Sequence, residues 1–318
     1  MNCSAKKKIL VAMSGGVDSS VAALLLLEAG HDVTGVTMAL GTHRRETDCG
    51  RFTDESIADA QSVCRQLGIP HLVLSYAGLM DEKVIGKFIA EYRAGRTPNP
   101  CVDCNRYLKF GALLTRAREL GFVHLATGHY AQIERRENGW SLLRPGDKAK
   151  DQTYFLYPIR AEDLPFILFP LGALTKEEVR QKAIDAGLSV AHRAESQDIC
   201  FVPDGDYGRM FADRNLLAEP GDIVDREGRI LGRHRGIVHY TIGQRGGLGI
   251  SAKRPLYVLA LDAKRHQVMV GHKEELFSSG LIAGDLNLFT DAFPGVVEGK
   301  IRYRKKPARC RVEKTGDK

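Results

Sequence analysis

The feature that most constrains the fold is a glycine- and serine-rich segment, Ser14 to Ser20, between a strand pattern and a helix pattern. Lys8 to Ala12 has the length and the apolar residues of a strand, and the helical pattern over Asp18 to Ala29 is followed by Gly30, a residue type that often ends helices. In such a unit the glycines let the backbone approach a phosphate, and amide N–H groups at the start of the helix point at the anion. The segment therefore predicts a pyrophosphate cradle.

Two interpretations of this loop remain open from the residues alone. A Walker A loop ends in Gly-Lys-Ser/Thr, and this segment has no lysine, so the machinery of γ-phosphate transfer is not indicated. Asp18 would then help to hold Mg²⁺. The plain alternative is a turn in which Asp18 only caps the helix.

Short strands and helical patterns alternate to about residue 200, which predicts the fold class: α/β, with a doubly wound parallel sheet. Helices are expected over about 53–67 and 81–94, followed by a Pro-rich loop over 95–106. A later helix begins at a capping box formed by Thr175 and Glu178.

Beyond about residue 203 the helical period fades and short strands with Gly-containing turns take over. We therefore predict three domains: an α/β domain over 1–202, a small mixed domain over 203–275, and a β domain over 276–318. Within the second domain, Gln244 to Gly249 is a glycine-rich run to which we assign no cofactor.

The basic excess lies in the last third of the chain. Residues 220–318 contain 19 lysines and arginines against 11 acidic residues, a balance of +8, whereas the rest of the chain sums to −1. Lysine and arginine bind polyanions by neutralising phosphates and releasing condensed counterions. The distribution indicates a bound polyanion or, equally well on charge alone, an ordinary solvated surface.

The chain is expected to be a cytoplasmic monomer without membrane contact. Its longest apolar run, Val21 to Leu27, is too short to span a bilayer, and the first residues lack the apolar core of a signal peptide. Seven cysteines in such a chain indicate chemistry or metal binding before structural disulfides.

Three of the cysteines stand in polar or motif-like surroundings. Cys101 and Cys104 have Cys-x-x-Cys spacing in a loop that we expect just before a helix, whose dipole would lower the pKa of either thiol. Cys200 lies in the polar run Glu195 to Phe201. A Cys-x-x-Cys pair can be half of a structural zinc site, but the sequence contains no second cysteine pair at the spacing of a zinc ribbon.

The Ser14 to Ser20 loop resembles that of the PP-loop ATP pyrophosphatases. Further matching motifs are the two cysteine segments, Gly128-His129-Tyr130 and Lys150 to Phe155. Through these motifs, nearly the whole chain resembles the tRNA 2-thiouridylases, the MnmA/TrmU family. That resemblance implies an ATP-dependent tRNA-uridine 2-sulfurtransferase that adenylates the 2-oxygen of the wobble uridine and then transfers sulfur. It also implies tRNA as substrate and a sulfur-donor protein, a cysteine desulfurase or relay protein, as partner. By the same resemblance, 1–202 would be the ATP-binding catalytic domain, and 276–318 would be the start of a tRNA-binding β-barrel that is incomplete in this chain.

The resemblance carries roles over to particular residues. Cys104 would be the nucleophile and Cys200 the persulfide carrier, with a transient disulfide between them. ATP would be bound by Ala12, Met13, Ser14, Gly15, Gly16, Val17, Asp18, Ser19, Met38 and Gly128. Transfer RNA would be contacted by Asn99, Pro100, Cys101, His129, Lys150, Asp151, Gln152, Arg302 and Tyr303.

Two questions stay open at this level. Cys101, Cys104 and Cys200 could instead ligate a [4Fe-4S] cluster whose fourth iron carries sulfide. The rival functions are a PP-loop amidotransferase or ligase acting on a small molecule, and an RNA-binding protein with a vestigial nucleotide site. The first has no need of three cysteines, and an intact phosphate loop argues against the second.

Overall fold

The computed structural model describes residues 6–41, 54–137, 139–195, 199–202, 210–212, 214, 219–290 and 295–315. The chain divides into two compact units. The first contains residues 1–80, 101–195 and 284–318, and the second contains 81–100 and 196–283. The three domain boundaries predicted from the sequence stay a prediction. None of the described helices is both long and apolar enough to cross a membrane.

The first unit is built on a parallel five-stranded sheet, which confirms the predicted fold class. Its strand order is β3-β2-β1-β4-β7, so that the first strand lies at the centre. The strands are β1 (Lys8–Ala12), β2 (Asp32–Ala39), β3 (His71–Ser75), β4 (His124–Thr127) and β7 (Ile167–Leu168).

Alternating side chains of β1 bury into two cores, one on each face of the sheet. Ile9 and Val11 join a cluster that includes side chains of α1 (Val17–Glu28), α2 (Asp54–Leu67) and α8 (Lys176–Asp185). Leu10 points the other way and joins a cluster with α6 (Leu114–Glu119). Because successive side chains of a strand point to opposite faces, one apolar run can serve both layers.

Helix ends follow the predicted signals closely. Gly30, Gly68 and Gly187 each have a positive φ directly beyond a helix, at 81°, 66° and 61°. The Thr175 side chain accepts from the Glu178 amide, and the Glu178 carboxylate accepts from the Thr175 amide, so the predicted capping box begins α8.

The segment around the first two cysteines differs from the prediction. Residues 95–106 were expected to form a loop, but helical structure begins at Pro100 with α5 (Pro100–Asp103) and continues through a π-helical stretch, Cys104–Leu113, into α6. Proline is well suited to the first position of a helix, because its missing N–H has no partner there anyway. The Pro-rich composition thus marks a helix start.

The helix expected over 81–94 begins earlier. It comprises α3 (Ala77–Leu79), a π-helical stretch, Met80–Gly86, and α4 (Lys87–Arg93). A hairpin of the first unit consists of β5 (Gln132–Arg136) and β6 (Gly139–Leu143), and Asn138 between them lies outside the described residues. The short helix α7 (Thr153–Leu156) follows it.

The second unit contains a four-stranded sheet in the order β10-β11-β8-β9. The strands are β8 (Gly221–Val224), β9 (Ile230–His234), β10 (Tyr257–Asp262) and β11 (Gln267–Gly271). Its core includes Ile223, Val258 and Val268 from the strands and Leu248 from the connection between β9 and β10.

The last described residues belong to the first unit. They form a two-stranded antiparallel sheet of β12 (Val296–Gly299) and β13 (Ala308–Arg311). Arg106 donates two hydrogen bonds to the Asp285 carboxylate, and Tyr303 stacks against Phe155 with ring centroids 4.5 Å apart. These contacts tie residues 284–315 to the helices that follow Pro100 and Gln152.

Candidate active site

The predicted phosphate loop forms a tight turn at the carboxyl end of β1. Gly15 has φ +72°, and a Cβ there would lie 2.6 Å from the Ser56 carbonyl oxygen, so only glycine fits. Ser19 Oγ donates to the Gly16 carbonyl oxygen and accepts from the Ser14 amide, at 3.1 Å each. Ser20 Oγ also donates to Gly16, at 2.9 Å. These two buried hydroxyls brace the loop, which leaves the amides at the start of α1 to meet an anion.

A lysine from a distant helix completes the loop. Lys176, the first residue of α8, is only 8% exposed. Its ammonium donates to Asp18 Oδ1 at 2.6 Å and lies 2.8 Å from Glu195 Oε1. Tyr130 Oη donates to the same Asp18 oxygen at 2.9 Å. The loop segment itself has no lysine, and the fold supplies one to it.

A second lysine shares the carboxylate of Glu195. Lys150 Nζ donates to Glu195 Oε2 at 2.7 Å, so the two oxygens each bind one ammonium group. Burial tends to raise the pKa of Glu195, but the hydrogen bonds from Lys150 and Lys176 outweigh it and lower the pKa to about 2. The hydrogen bond to Glu195 raises the pKa of Lys150. Glu195 and Lys150 therefore keep their charges at physiological pH.

Arg193 fixes the turn from the outside. Its guanidinium donates to the Gly15 carbonyl oxygen at 2.9 Å and forms an ion pair with Asp59 on α2. Sequence reasoning missed both Arg193 and Lys176, because neither belongs to a pattern around the loop. The only local signal was that Lys176 directly follows the N-cap Thr175.

The other predicted ATP-binding residues follow the ends of neighbouring strands. Ala12 ends β1 and Met13 follows it, and Met38 lies near the end of β2. Gly128 follows β4, where a Cβ would stand 2.7 Å from the backbone of Asp18 and Ser19. In open α/β sheets, ligands bind outside the carboxyl ends of the strands. The described geometry thus gathers these residues at the usual edge.

The cysteine pair occupies the first turns of the helix that starts at Pro100. Cys101 is exposed and Cys104 is half-buried. Although Cys101 has exposed surface, desolvation of the sulfur by the surrounding atoms raises the pKa of both thiols above the ordinary 9.0, and the nearby Lys109 opposes the effect. The predicted lowering of the thiol pKa is therefore wrong in direction, because desolvation of the thiolate outweighs the favourable charge.

A chain of close contacts connects this helix to the phosphate loop within the first unit. Lys109 Nζ lies 3.4 Å from His129 Nε2, and His129 Nδ1 is 2.7 Å from Thr127 Oγ1 at the end of β4. Burial, and secondarily Lys109, holds the pKa of His129 well below its usual value, so that the ring is neutral. The next residue, Tyr130, reaches Asp18.

Several predicted tRNA contacts have structural partners in the folded chain. Asp151 Oδ1 accepts from the amide and the hydroxyl of Thr153 at the start of α7, and Gln152 Oε1 accepts from the Tyr130 amide. Tyr303 packs on Phe155, whereas Arg302 is exposed. Asn99 is half-buried and Pro100 is buried. Whether these residues also touch RNA stays a prediction.

Cys200 is half-buried and belongs to the second unit, whereas Cys101 and Cys104 belong to the first. Its polar neighbours Ser196 to Asp198 lie outside the described residues. Within the described part of the chain, no group of three or more His, Cys, Asp or Glu side chains is arranged to hold a metal ion. Whether Cys101, Cys104 and Cys200 ligate a [4Fe-4S] cluster stays a prediction.

Comparisons with known proteins agree over almost the whole chain. Residues 7–204 match a family model described as the tRNA methyl transferase HUP domain, and residues 209–272 match one described as the tRNA methyl transferase PRC-barrel domain. A tRNA-specific 2-thiouridylase MnmA 1 of Syntrophus aciditrophicus is 54% identical over 98% of this chain and 84% of its own length. The MnmA of Geobacter metallireducens is 49% identical over 97% of this chain and 86% of its own.

A solved NMN synthetase from Francisella tularensis aligns with 67% of this chain and 74% of its own at 16% identity, with a TM-score of 0.39, too low to support an argument. The two MnmA relatives and the two family models do support an assignment. On their evidence, this chain belongs to the family of the tRNA-specific 2-thiouridylases.

Proposed function

We propose that this protein uses ATP to replace the 2-oxygen of a uridine in tRNA with sulfur. The observation that carries the proposal is a phosphate loop and two thiols in one compact unit, joined through Lys109, His129 and Tyr130. The relatives, named as tRNA-specific 2-thiouridylases, support the same activity. They also argue against a ligase acting on small molecules and against a vestigial nucleotide site.

The first step activates the uridine. The 2-oxygen attacks the α-phosphorus of ATP, the bond to the β-phosphate oxygen breaks, and pyrophosphate leaves. The α1 amides and Lys176 are suited to hold the polyphosphate, because charge-assisted hydrogen bonds from a buried cation are strong. Adenylation turns a poor leaving oxygen into AMP.

Asp18 fits a contact with Mg²⁺. Its carboxylate stands at the start of α1 and is 33% exposed, and Mg²⁺ is commonly held by one or two carboxylates together with substrate phosphates. Bound there, the ion would neutralise phosphate charge. Lys176, which donates to Asp18 in this structure, would then donate to the polyphosphate instead.

The second step brings in sulfur. With a persulfide on Cys200, Cys104 attacks the Cys200 sulfur, the S–S bond to the outer sulfur breaks, and the freed sulfide displaces AMP from C2. In the other order, the persulfide displaces AMP directly and Cys104 then cleaves the S–S bond. Both routes leave a Cys104–Cys200 disulfide, which a thiol reductant must reduce. No step requires an iron–sulfur cluster.

The partners follow from this chemistry. A sulfur-donor protein, either a cysteine desulfurase or a relay protein, would load Cys200, and the wobble uridine is the proposed target. A monomer acting in the cytoplasm remains part of the proposal.

The test is a thiolation assay with unmodified tRNA, ATP and either a persulfide donor or free sulfide. We expect sulfur in the tRNA and stoichiometric pyrophosphate, no product from Cys104→Ser with the persulfide donor, and rescue of Cys200→Ser by free sulfide. Cys310→Ser, at an exposed cysteine, is the matched control. Methylation of the tRNA, which the description of the family models would suggest, or the absence of tRNA-dependent pyrophosphate release would contradict the proposal.

A further inference from the structure

The glycine-rich run of the second unit, Gln244 to Gly249, lies within a longer segment that has basic but no acidic residues. From Ile230 to Leu261 the chain has five lysines and arginines and no aspartate or glutamate. Three of these cations, Arg245, Lys253 and Arg254, belong to residues 244–256, which we call the basic loop. Asymmetry of this degree is the electrostatic mark of a polyanion site.

The basic loop is a defined structure. Its neck is closed by hydrogen bonds from the Gly243 amide to the Val258 carbonyl at 2.7 Å and from the Val258 amide to the Gln244 carbonyl at 3.0 Å. Between Gly247 and Gly249, both at positive φ, Leu248 inserts into the core and is 7% exposed. The apolar side chain anchors the loop, so its polar residues are held outside the core.

Several arginines of the second unit lie close to carboxylates. Arg226, Arg229 and Arg265 each lie within 4.0 Å of a carboxylate, and Arg254 pairs with Glu274 at 3.3 Å. Arg245 and Lys253 are exposed and have no ion-pair partner among the described residues. Two cations on an anchored loop are thus available to an external anion.

The surface of the loop fits a phosphate backbone. It curves around an open cavity of about 700 Å³ whose lining includes Arg245, Lys253 and Arg254 but no aromatic ring and no carboxylate. Without a ring to stack on a base or an acceptor to read its edge, the site can recognise charge but cannot specify sequence.

We propose that the basic loop binds the phosphodiester backbone of the RNA substrate through Arg245 and Lys253. The choice of RNA over another polyanion rests on the proposed function. Each cation neutralises one phosphate, so the contact adds affinity and positions the RNA without reading bases.

The test compares Arg245→Ala/Lys253→Ala with Arg229→Ala/Arg265→Ala, which removes the same charge from exposed, carboxylate-paired positions of the same unit. The affinity for unmodified tRNA is measured by filter binding across a salt series. Losing two phosphate contacts should lower the salt slope by about 1.4 to 1.8. The affinity lost between ~50 and ~200 mM salt should then shrink by about tenfold relative to the wild type. The control should keep the wild-type slope.

Competition and turnover separate this proposal from the function it rests on. Polyglutamate should compete weakly and inorganic phosphate should not measurably displace tRNA; polyglutamate competing as well as RNA would overturn the choice of ligand. At saturating tRNA the loop variant should keep its thiolation rate and show a raised KM for tRNA. A slope equal to that of the control refutes the loop contact even if thiolation proceeds. Absent thiolation with a lowered slope refutes the function alone.

Discussion

Lys176→Met should weaken ATP binding while leaving the fold in place. The variant removes a cation whose side chain is 9% exposed and whose ammonium bridges the carboxylates of Asp18 and Glu195 at 2.6 and 2.8 Å. A hydrogen bond to a charged group contributes about 1.5–3 kcal/mol. At about 1.4 kcal/mol per factor of ten, the loss of one such bond to the polyphosphate weakens ATP binding roughly 10- to 150-fold.

The expected cost in stability is smaller. Breaking a fully buried ion pair costs about 3–5 kcal/mol, because it leaves an unpaired charge in the interior. Here the two carboxylates are 33% and 30% exposed, so water compensates them when the lysine is removed. We expect a loss of about 1 kcal/mol in the free energy of unfolding, closer to the values for exposed pairs.

The assay is an ATP titration by calorimetry, paired with urea unfolding. Lys176→Arg should recover part of the ATP affinity, since it restores the charge in a different shape. Lys182→Met removes the same charge from the last turn of the same helix and should bind ATP as the wild type does. Wild-type affinity in Lys176→Met would refute the assignment, and a large stability loss without an affinity change would make Lys176 purely structural.

Two further predictions concern Cys104 and Gly128, the glycine that packs against the phosphate loop. Because burial raises the pKa of Cys104 and stabilises its neutral thiol, its alkylation by iodoacetamide should accelerate as pH rises through 9.0, and Lys109→Met should move the midpoint higher; a midpoint below the ordinary thiol value would contradict this. Gly128→Ala puts a Cβ 2.7 Å from the Asp18 and Ser19 backbone, so it should cost about 1–3 kcal/mol in unfolding free energy and weaken ATP binding. Gly78→Ala, with open space around it, should do neither, and equal behaviour of the two variants would refute the steric argument.

The sequence predicted those parts of the fold that depend on local interactions. Glycines that end helices, the capping box at Thr175 and the alternating strands were readable because each signal lies within a few residues of the element it defines. The phosphate loop was predicted for the same reason, because its glycines and serines are adjacent in the sequence. The chemistry of the site came instead from the resemblance of its motifs to a family.

Pro100 shows what composition cannot predict. Prolines mark loops and also the first turn of helices, and only the helix that follows distinguishes the two cases. The direction of the thiol pKa was wrong for a related reason. A helix start favours the thiolate, but desolvation depends on which groups pack around the thiol, and sequence position does not reveal that.

The sequence by itself determined a parallel α/β sheet with a phosphate loop, two cysteine segments and a basic final third. Tertiary structure alone decided that Lys176 and Arg193, more than 150 residues away in sequence, complete that loop. It also decided that Tyr303 packs on Phe155. Among the described residues, Arg245 and Lys253 have no ion-pair partner, whereas the neighbouring Arg254 pairs with Glu274. Local propensities act over a few residues, whereas charge pairing and desolvation depend on which distant segments the packed core brings together.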